Sequence, residues 1–230
     1  MDEAHRIAAT IDHTLLKPDA TPEQVRALCA EARVWRFAAV CVQPIYVSLA
    51  AKQLADAGVA VVTVAGFPLG CHLTSVKAYE AERALGEGAT EVDMVINLGA
   101  LKAGDWGAVE ADIAAVAQVC KQANGLCKVI IETGYLSDIE KMEACRRAVA
   151  AGADFVKTST GFGPGGASAS DVALMRATVG PKVGVKAAGG IRTYEAARSM
   201  LLAGANRLGT SAGVSIMQSL AAASGRTGTS

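Results

Sequence analysis

The amino-acid sequence predicts a single (β/α)₈ barrel with a short extra helix at its N-terminus. The chain has 230 residues, of which 51% are hydrophobic and only 4% aromatic, so the core must be built from small aliphatic side chains, which suit parallel strands covered by helices. Short β-branched runs alternate eight times with longer alanine-rich segments, which indicates parallel strands joined by right-handed crossovers. A closed barrel is favoured over an open doubly wound sheet because eight units fit this length and no G-x-G-x-x-G follows the first long strand.

The eight predicted strands are runs of β-branched and aliphatic residues bounded by turn residues. In chain order they are Asp12–Leu15, Ala38–Gln43, Ala60–Phe67, Glu91–Asn97, Cys127–Thr133, Asp154–Ser159, Lys182–Ala188 and Asn206–Gly209. The barrel domain is expected to cover residues 1–224, and residues 225–230 are expected to form a flexible tail.

Helices are predicted between the strands from residues that cap their ends. Asp105 precedes a helix over Gly107–Ala123, and Thr193 precedes one over Tyr194–Ala203, because their side chains can accept a hydrogen bond from the first turn. Two further N-terminal caps of this kind are Thr21, which precedes a proline, and Ser137. Glycines suited to the left-handed backbone of a helix C-terminus stand just before five strands, at Gly58, Gly88, Gly125, Gly152 and Gly204.

Composition excludes several classes of protein. The 22 basic and 22 acidic side chains balance, which excludes a nucleic-acid binder that relies on a basic surface. The longest apolar stretch, Val59 to Phe67, is too short to span a bilayer, and the acidic start Met1-Asp2-Glu3 lacks the basic residues of a secretory signal. The six cysteines form no C-x-x-C pair, and three scattered histidines are too few for a metal site. We therefore expect a cytoplasmic protein with no membrane partner, no metal and no cofactor.

Period-two alternation within the strands predicts which polar side chains face the barrel axis. In the run Glu91–Asn97 the apolar residues must pack on the helices, so Asp93 points inward. The same argument turns Lys157 and Lys186 inward, on neighbouring strands and near their carboxyl ends, where barrel enzymes bind substrates. An ammonium group inside a barrel is costly unless it is paired or neutralised. These three residues are therefore the candidates for a buried functional site.

Two interpretations of the buried charges are open. One is a structural network of ion pairs among Lys128, Glu132, Lys157, Lys186 and Asp93. The other, which the position of Lys157 and Lys186 near the carboxyl ends favours, is a chemical site. Burial and a neighbouring cation both lower the pKa of an amine, and a neutral lysine can attack a carbonyl group to form a Schiff base. Asp93 would then transfer protons.

Glycine-containing loops at the same end of the barrel predict an anion site. They follow the sixth, seventh and eighth strands, where backbone N–H groups and helix N-termini bind phosphate in this fold. No G-x-x-x-x-G-K-[ST] is present, so the expected phosphate belongs to a small sugar rather than to ATP. The candidate substrate- and phosphate-binding residues are Asp12, Thr158, Gly161, Gly189, Gly190, Gly209, Thr210 and Ser211, and Asn97 is a candidate contact for a substrate hydroxyl.

Five segments of the chain resemble the deoxyribose-phosphate aldolase family, and the likeness extends from about Ile11 to Ser211. They are Asp12-His13-Thr14, Glu91–Asn97, Lys128–Thr133, Phe155–Gly161 and Val185–Arg192. The resemblance implies a metal-free class I aldolase built on a (β/α)₈ barrel. It further implies reversible cleavage of 2-deoxy-D-ribose 5-phosphate to glyceraldehyde 3-phosphate and acetaldehyde.

The resemblance also implies roles for individual residues. Lys157 would form the Schiff base, Lys186 would lower the pKa of Lys157, and Asp93 would donate and accept protons. Cys41 matches a family cysteine that lies near the site and can be trapped by aldehyde-derived adducts. The phosphate would be held by Gly161, Gly189, Gly190, Gly209 and Ser211. A homodimer or homotetramer is expected.

The chain departs from the family pattern in three places. It ends Thr229-Ser230 without the terminal tyrosine that assists proton transfer in many members, so slower turnover is expected if that tyrosine matters. Phe162 stands where some members have a lysine, so weaker phosphate binding is expected. The loop Gly70–Leu73 is also unusual for the family.

Two other functions are weighed against the aldolase. A metal-dependent aldolase or isomerase of the same fold would need clustered histidine and carboxylate ligands, which the three scattered histidines do not supply. A non-catalytic sugar-phosphate-binding regulator is expected to have lost the interior lysines or Asp93, and all of them are present. The residues of the site therefore favour the aldolase.

Overall fold

The computed structural model describes residues 3–226, and its centre is a closed barrel of eight parallel strands. Each strand pairs with the next one along the chain, and the eighth pairs with the first, so the predicted fold class is confirmed. The strands are β1 (Ile11–Leu15), β2 (Ala39–Val42), β3 (Ala60–Ala65), β4 (Glu91–Val95), β5 (Leu126–Ile130), β6 (Phe155–Lys157), β7 (Gly184–Ala188) and β8 (Arg207–Thr210).

Helices connect the strands and cover the outside of the barrel. The predicted short N-terminal helix is present as α1, and two 3₁₀ turns, Pro44–Tyr46 and Thr133–Tyr135, follow β2 and β5. The α-helices are α1 (Glu3–Ala8), α2 (Pro22–Trp35), α3 (Val47–Leu54), α4 (Thr74–Gly86), α5 (Leu98–Lys102), α6 (Trp106–Gln122), α7 (Asp138–Ala150), α8 (Ala169–Val179), α9 (Tyr194–Leu202) and α10 (Gly213–Arg226).

The four predicted N-terminal caps are confirmed. The side chain of each one accepts a hydrogen bond from the backbone N–H three residues further on, which satisfies a donor that the first helical turn leaves unpaired. Local sequence therefore sets where these helices begin.

The predicted glycine C-caps are confirmed at Gly88, Gly152 and Gly204, which have a positive φ and directly follow the C-cap residue of a helix. Gly58 also has a positive φ, but it lies three residues beyond Ala55, the C-cap of α3. At the fifth predicted position, Asn124 rather than Gly125 takes the left-handed conformation, with φ at 55°. Gly125 is required there for space, because a Cβ would come within 2.9 Å of Leu85 Cδ2 and 3.0 Å of the Thr90 carbonyl oxygen.

Several strands end earlier than the sequence predicts. The polar residues that follow them use their side chains to form hydrogen bonds with backbone groups of other segments. After β4, the Asn97 side chain accepts a hydrogen bond from the Ala100 N–H at 3.1 Å and caps α5. β6 ends at Lys157, and the hydroxyl of Thr158 bonds to the backbone of the neighbouring strand. The loops at this end of the barrel therefore begin closer to the interior charges than predicted.

The barrel interior has an apolar side and a charged side. A small apolar group occupies the side near β2 and β3 and consists of Leu16, Ala39, Cys41, Val62 and Val64. The charged side chains come from β1, from β4 and from the strands that follow it. A larger core of aliphatic side chains fills the space between strands and helices. Among the residues that the structure describes, charged side chains are therefore absent from the side of the interior near β2 and β3.

The predicted tail lies mostly outside the described residues, since α10 extends to Arg226 and residues 227–230 are not described. Over residues 3–226, each helix is too short or too polar to cross a membrane.

A buried ion pair joins two helices on the outside of the barrel. Lys77 of α4 donates hydrogen bonds to Asp112 Oδ2 of α6 at 2.6 Å and to the carbonyl oxygen of Val95, the last residue of β4, at 2.9 Å. Both charged side chains are buried, and Thr74 donates to the other carboxylate oxygen. The pair holds the carboxyl end of β4 against its covering helices.

Replacing Lys77 with methionine is expected to destabilise the protein by about 3–5 kcal/mol, because the Asp112 carboxylate would stay buried without its cation. The thermal midpoint, measured by circular dichroism, should fall by roughly 6–20 °C for a chain of this size. The exposed pair Arg83–Glu87 provides a control, and Arg83→Met should change stability by less than about 1 kcal/mol. Equal midpoints for the two variants would contradict the structural role of Lys77.

Candidate active site

Seven charged side chains meet inside the barrel. All of them lie on strands, so the pleat of the sheet directs them toward the axis. Six are buried and the seventh, Arg207, is 13% exposed. We call this set the charge cluster; it consists of Asp12 of β1, Glu91 and Asp93 of β4, Lys128 of β5, Lys157 of β6, Lys186 of β7 and Arg207 of β8.

Asp93 contacts three lysines at the centre of the charge cluster. Its Oδ1 accepts a hydrogen bond from Lys128 Nζ at 3.0 Å. Its Oδ2 accepts from Lys157 Nζ at 2.8 Å and from Lys186 Nζ at 2.6 Å. Lys157 and Lys186 are direct register partners on neighbouring strands. The structure thus brings the three predicted catalytic candidates into one hydrogen-bonded group.

Arg207 links the remaining members of the charge cluster. Its Nε donates to Asp12 Oδ1 at 2.7 Å, and its terminal nitrogens donate to the two oxygens of Glu91 at 3.1 and 3.2 Å. Glu91 also forms an ion pair with Lys128. Asp12 Oδ2 lies 2.5 Å from Lys186 Nζ. The ion pairs therefore form a closed circuit inside the barrel.

Glu91 and Arg207 were not predicted as site residues, although the strand period contains them. Glu91 lies two residues before Asp93, and Arg207 lies two residues before Gly209, so each faces the same way as a predicted residue. The period alone does not reveal that the two form a pair across the barrel, because that depends on the tilt and stagger of the strands.

Burial and neighbouring charges set the protonation of the central residues. Burial lowers the pKa of Lys157; the Asp93 carboxylate opposes this shift and the Lys186 ammonium adds to it. Burial would raise the pKa of Asp93, but Lys128, Lys157 and Lys186 hold it well below its ordinary value. Asp93 is therefore ionised at neutral pH, and Lys157 holds its proton less tightly than an ordinary lysine.

The pKa of Lys186 shifts in the opposite direction from that of Lys157. Burial does act to lower its pKa, but the carboxylates of Asp12 and Asp93 raise it above the ordinary lysine value. Asp12 is a second carboxylate partner of Lys186, which the strand period alone does not reveal. Lys186 therefore remains an ammonium ion beside Lys157, which is consistent with a role in lowering the pKa of its neighbour.

A cavity of about 220 Å³ opens at the carboxyl ends of the strands. Lys157 is the one member of the charge cluster that lines it. Six of the predicted substrate-binding residues also line the cavity: Gly161, Gly189, Gly190, Gly209, Thr210 and Ser211. The volume is below that of typical sites for drug-sized ligands, so it suits a small substrate.

Two of these glycines cannot carry a side chain without strain. Gly189 has a φ of +94°, and a Cβ there would lie 3.0 Å from the Cα of Gly166. At Gly209 a Cβ would lie 2.9 Å from Ala188 Cβ and 3.2 Å from Lys186 Cε. Backbone without side chains can approach a bound anion closely.

Two basic residues that were not predicted also line the cavity, Lys17 after β1 and Arg192 after β7. Both are exposed to solvent, so they place positive charge at the mouth of the site. Their positions just beyond the ends of strands are the signal that could have identified them, since these loops form the working face of a barrel.

Three residues that were predicted to contact substrate bind other groups of the protein instead. Asp12 is buried within the charge cluster and does not line the cavity. Thr158 is also buried, and its hydroxyl donates to the carbonyl oxygen of Ala188 and accepts from the Ala188 N–H, both at 3.0 Å. Asn97 caps α5. Polar atoms already satisfied in this way are not available to a substrate.

Glu132 lies outside the charge cluster, contrary to the structural-network interpretation. Its carboxylate accepts hydrogen bonds from the Thr160 N–H and hydroxyl, and its own backbone is left-handed, with φ at 55°. Thr160 in turn accepts from the Phe162 N–H at 3.0 Å, and Phe162 packs edge-on against Phe67. Glu132 therefore holds the loop that forms one wall of the cavity.

Cys41 lies on the apolar side of the interior. Burial raises the pKa of its thiol, so it is protonated at neutral pH and a weak nucleophile. All six cysteines are unpaired. Within the part of the chain that the structure describes, no three histidine, cysteine, aspartate or glutamate side chains are grouped so that they could hold a metal ion.

The fold and site define a class of enzyme. A (β/α)₈ barrel with a buried amine of lowered pKa, opening into a glycine-lined cavity beside an ionised carboxylate, is built for chemistry on carbonyl compounds through a lysine nucleophile. Comparison with known proteins then assigns the family. The model of the DeoC/LacD family aldolases matches residues 6–219, and the chain belongs to this family.

The relatives of the chain are similar over most of its length. It is 57% identical to a deoxyribose-phosphate aldolase of Lysinibacillus sphaericus, over 94% of this chain and 96% of that protein. It is 54% identical to one of Caldanaerobacter subterraneus, over 92% of each chain. Among solved structures, the tetrameric deoxyribose phosphate aldolase from Aeropyrum pernix superposes with a TM-score of 0.90 at 34% identity, over 96% of this chain and 93% of that one.

Proposed function

We propose that this protein is a class I aldolase that cleaves 2-deoxy-D-ribose 5-phosphate reversibly to D-glyceraldehyde 3-phosphate and acetaldehyde. The observation that carries the proposal is Lys157, which opens into the cavity, contacts Asp93 and has a pKa lowered by burial. The names of the relatives supply the substrate, since deoxyribose-phosphate aldolases match more than nine-tenths of the chain.

In the proposed reaction, the neutral amine of Lys157 attacks the aldehyde carbon of the open-chain sugar. A nitrogen–carbon bond forms, the carbonyl oxygen takes up a proton, and loss of water gives a protonated imine. The imine accepts the electron pair of the bond between carbons 2 and 3, which breaks as the hydroxyl on carbon 3 loses its proton. Glyceraldehyde 3-phosphate leaves; the remaining enamine takes a proton on carbon 2, and water releases acetaldehyde and the amine.

Asp93 is proposed to begin the cycle as a base. One of its oxygens already accepts hydrogen bonds from both Lys157 and Lys186, so a proton leaving Lys157 has a short path to the carboxylate. Its lowered pKa means that it is ionised before the reaction and becomes an acid only after it has taken up a proton. Lys186 stays charged and stabilises the carboxylate form.

The phosphate is proposed to bind between the glycine wall and the basic residues of the cavity. Gly161, Gly189, Gly190, Gly209 and Ser211 line the side formed by the loops after β6, β7 and β8. Lys17 and Arg192 contribute positive charge to the same cavity, which places cations where a phosphate dianion needs them. These two basic residues would supply the positive charge that some family members have in a lysine at the position of Phe162.

Replacing Arg192 with leucine is expected to raise KM for the phosphorylated sugar about tenfold, since one charge-assisted hydrogen bond contributes roughly 1.5 kcal/mol. The KM for 2-deoxyribose without phosphate should hardly change, because the lost group contacts only phosphate. Steady-state kinetics with both sugars measures the difference. Arg198→Leu, on α9 and outside the cavity, is the control, and an equal rise in KM for both sugars would argue against a phosphate contact.

The test of the proposed function is to trap the imine. The protein is incubated with 2-deoxyribose 5-phosphate and borohydride, and its peptides are mapped by mass spectrometry. A two-carbon adduct on the peptide that contains Lys157, absent from Lys157→Ala, is the expected result. An adduct on Lys186 would exchange the two lysine roles. No adduct with chelator-sensitive cleavage would mean a metal enzyme, and no cleavage would leave a binding protein.

We also propose that the protein is a homodimer or homotetramer in the cytoplasm. The Aeropyrum pernix relative is tetrameric, and two large apolar side chains that line one surface groove of this barrel are exposed, Ile45 at 82% and Tyr79 at 61%. Unpaired cysteines are typical of a reducing compartment. Light scattering coupled to size-exclusion chromatography measures the mass of the assembly; a monomer would overturn the first part of this proposal.

A further inference from the structure

The charge cluster contains more cations than carboxylates. Three carboxylates, Asp12, Glu91 and Asp93, face four basic groups, Lys128, Lys157, Lys186 and Arg207. All but Arg207 are buried, so an excess charge would be poorly solvated. If one basic group is neutral, the remaining charges balance. The cluster is therefore built to leave one amine without its proton.

The contacts indicate which amine that is. Arg207 contacts two carboxylates, and a guanidinium does not lose its proton in proteins. Lys128 and Lys186 each contact two carboxylates as well, the first Glu91 and Asp93, the second Asp12 and Asp93. Lys157 contacts only one carboxylate, Asp93, and shares the contacted oxygen with Lys186. It is the least compensated cation of the four.

We infer that Arg207 and Glu91 are positioning residues that set the protonation of Lys157 through the charge cluster without touching substrate. This inference rests on the proposed role of Lys157 as the nucleophile. The positive charge of Arg207 compensates part of the negative charge of Asp12 and Glu91. Less uncompensated negative charge therefore remains in the cluster to stabilise the protonated form of Lys157. Glu91 acts in the opposite sense, because it compensates part of the positive charge of Arg207 and Lys128.

The ionisable groups that share the barrel interior with Lys157 come from six strands, and β3 contributes only apolar neighbours to this interior. They are Asp12 on β1, Cys41 on β2, Glu91 and Asp93 on β4, Lys128 on β5, Lys186 on β7 and Arg207 on β8. Cys41 is a neutral thiol, since burial raises its pKa. Among these groups, only the charged members can therefore change the protonation of the buried Lys157.

Opposite pH shifts from two neighbouring substitutions would test the inference. Arg207→Met leaves one carboxylate in excess, so the acidic limb of the profile of kcat/KM against pH should move up by about one unit. Glu91→Gln leaves one cation in excess, so the same limb should move down. On the acidic limb, each unit corresponds to a tenfold change in rate at fixed pH.

The double variant Glu91→Gln/Arg207→Met removes one charge of each sign and should return the limb close to its wild-type position. Arg207→Lys keeps the positive charge, so its acidic limb should also lie close to the wild-type position. A purely structural role predicts lower stability without opposite shifts. Single variants that move the limb in the same direction or leave it in place, or a double variant that does not return, would overturn the inference.

Circular dichroism of each variant separates misfolding from a change in pKa. If Arg207→Met does not fold, the double variant still provides the test. The acidic limb of its kcat/KM profile must lie about one pH unit above that of Glu91→Gln. Arg198→Met on the outer helix α9 is the control and should leave the profile unchanged. Borohydride trapping in the wild-type protein is done first. Failure to label Lys157 would reject the proposed function, whereas normal labelling with unshifted profiles would reject only this inference.

Discussion

Replacing Lys157 with methionine is expected to abolish turnover, with kcat falling by about 10⁴-fold or more, as when other nucleophiles are removed. Methionine keeps an unbranched apolar stem in the barrel but cannot form an imine. The protein should fold normally, because Lys157 is the amine that the charge cluster leaves neutral and its loss creates no unpaired charge. Cleavage of 2-deoxyribose 5-phosphate, coupled to detection of glyceraldehyde 3-phosphate, measures the rate.

Lys186→Met is the matched comparison, because Lys186 lies on the neighbouring strand and contacts the same Asp93 oxygen. It should also lose activity but should still be labelled at Lys157 by borohydride at high pH, where the amine is neutral. Lys157→Met should show no label at any pH. Rapid turnover by Lys157→Met would show that the nucleophile is another residue.

Replacing Asp93 with asparagine is expected to produce the second largest loss, in both activity and stability. Loss of the proton-transfer group should lower kcat by about 10²–10⁴-fold. Three lysines would also lose their shared carboxylate, which should cost about 3–5 kcal/mol and lower the thermal midpoint by roughly 6–20 °C. Asp12→Asn is the control, because Asp12 contacts Lys186 and Arg207 but not Lys157; it should lose less activity.

The stabilising effect of Asp93 has a defined pH dependence. The pKa of Asp93 in the folded protein lies well below the ordinary aspartate value of 3.8, so its ionised form stabilises the fold fully above that value. The stabilisation declines as the pH falls below 3.8 toward the folded pKa, where the carboxylate is protonated. The stabilities of wild type and Asp93→Asn should therefore converge under acidic conditions. A difference that stays constant down to pH 3 would contradict this account.

Strand period was sufficient to predict the central residues of the candidate site. Whether a side chain faces the axis depends only on its neighbours along one strand, so Asp93, Lys157 and Lys186 could be placed inward from the sequence. Their position near the carboxyl ends could be predicted in the same way. The caps of the helices were equally local, which is why they were predicted correctly.

The sequence indicated that the interior lysines and Asp93 could pair, but not their further partners Arg207 and Glu91, because those contacts depend on how distant strands are staggered. Arg207 and Glu91 are separated by more than one hundred residues along the chain and meet only in the closed barrel. For the same reason the raised pKa of Lys186 could not be predicted, since its partner Asp12 comes from the first strand. Thr158 was assigned to substrate because a hydroxyl in a loop motif gives no sign of the backbone it will bind.

The acidic and basic members of the charge cluster come from different halves of the chain. The first half of the barrel, β1 to β4, contributes only negative charge to the cluster, and the second half, β5 to β8, contributes only positive charge. A half-barrel released as a fragment would present a surface of one sign, which repels an identical copy and attracts its complement. Correct pairing of the two halves is thus encoded in the interior itself, and association of a half with its own duplicate is disfavoured before any substrate is present.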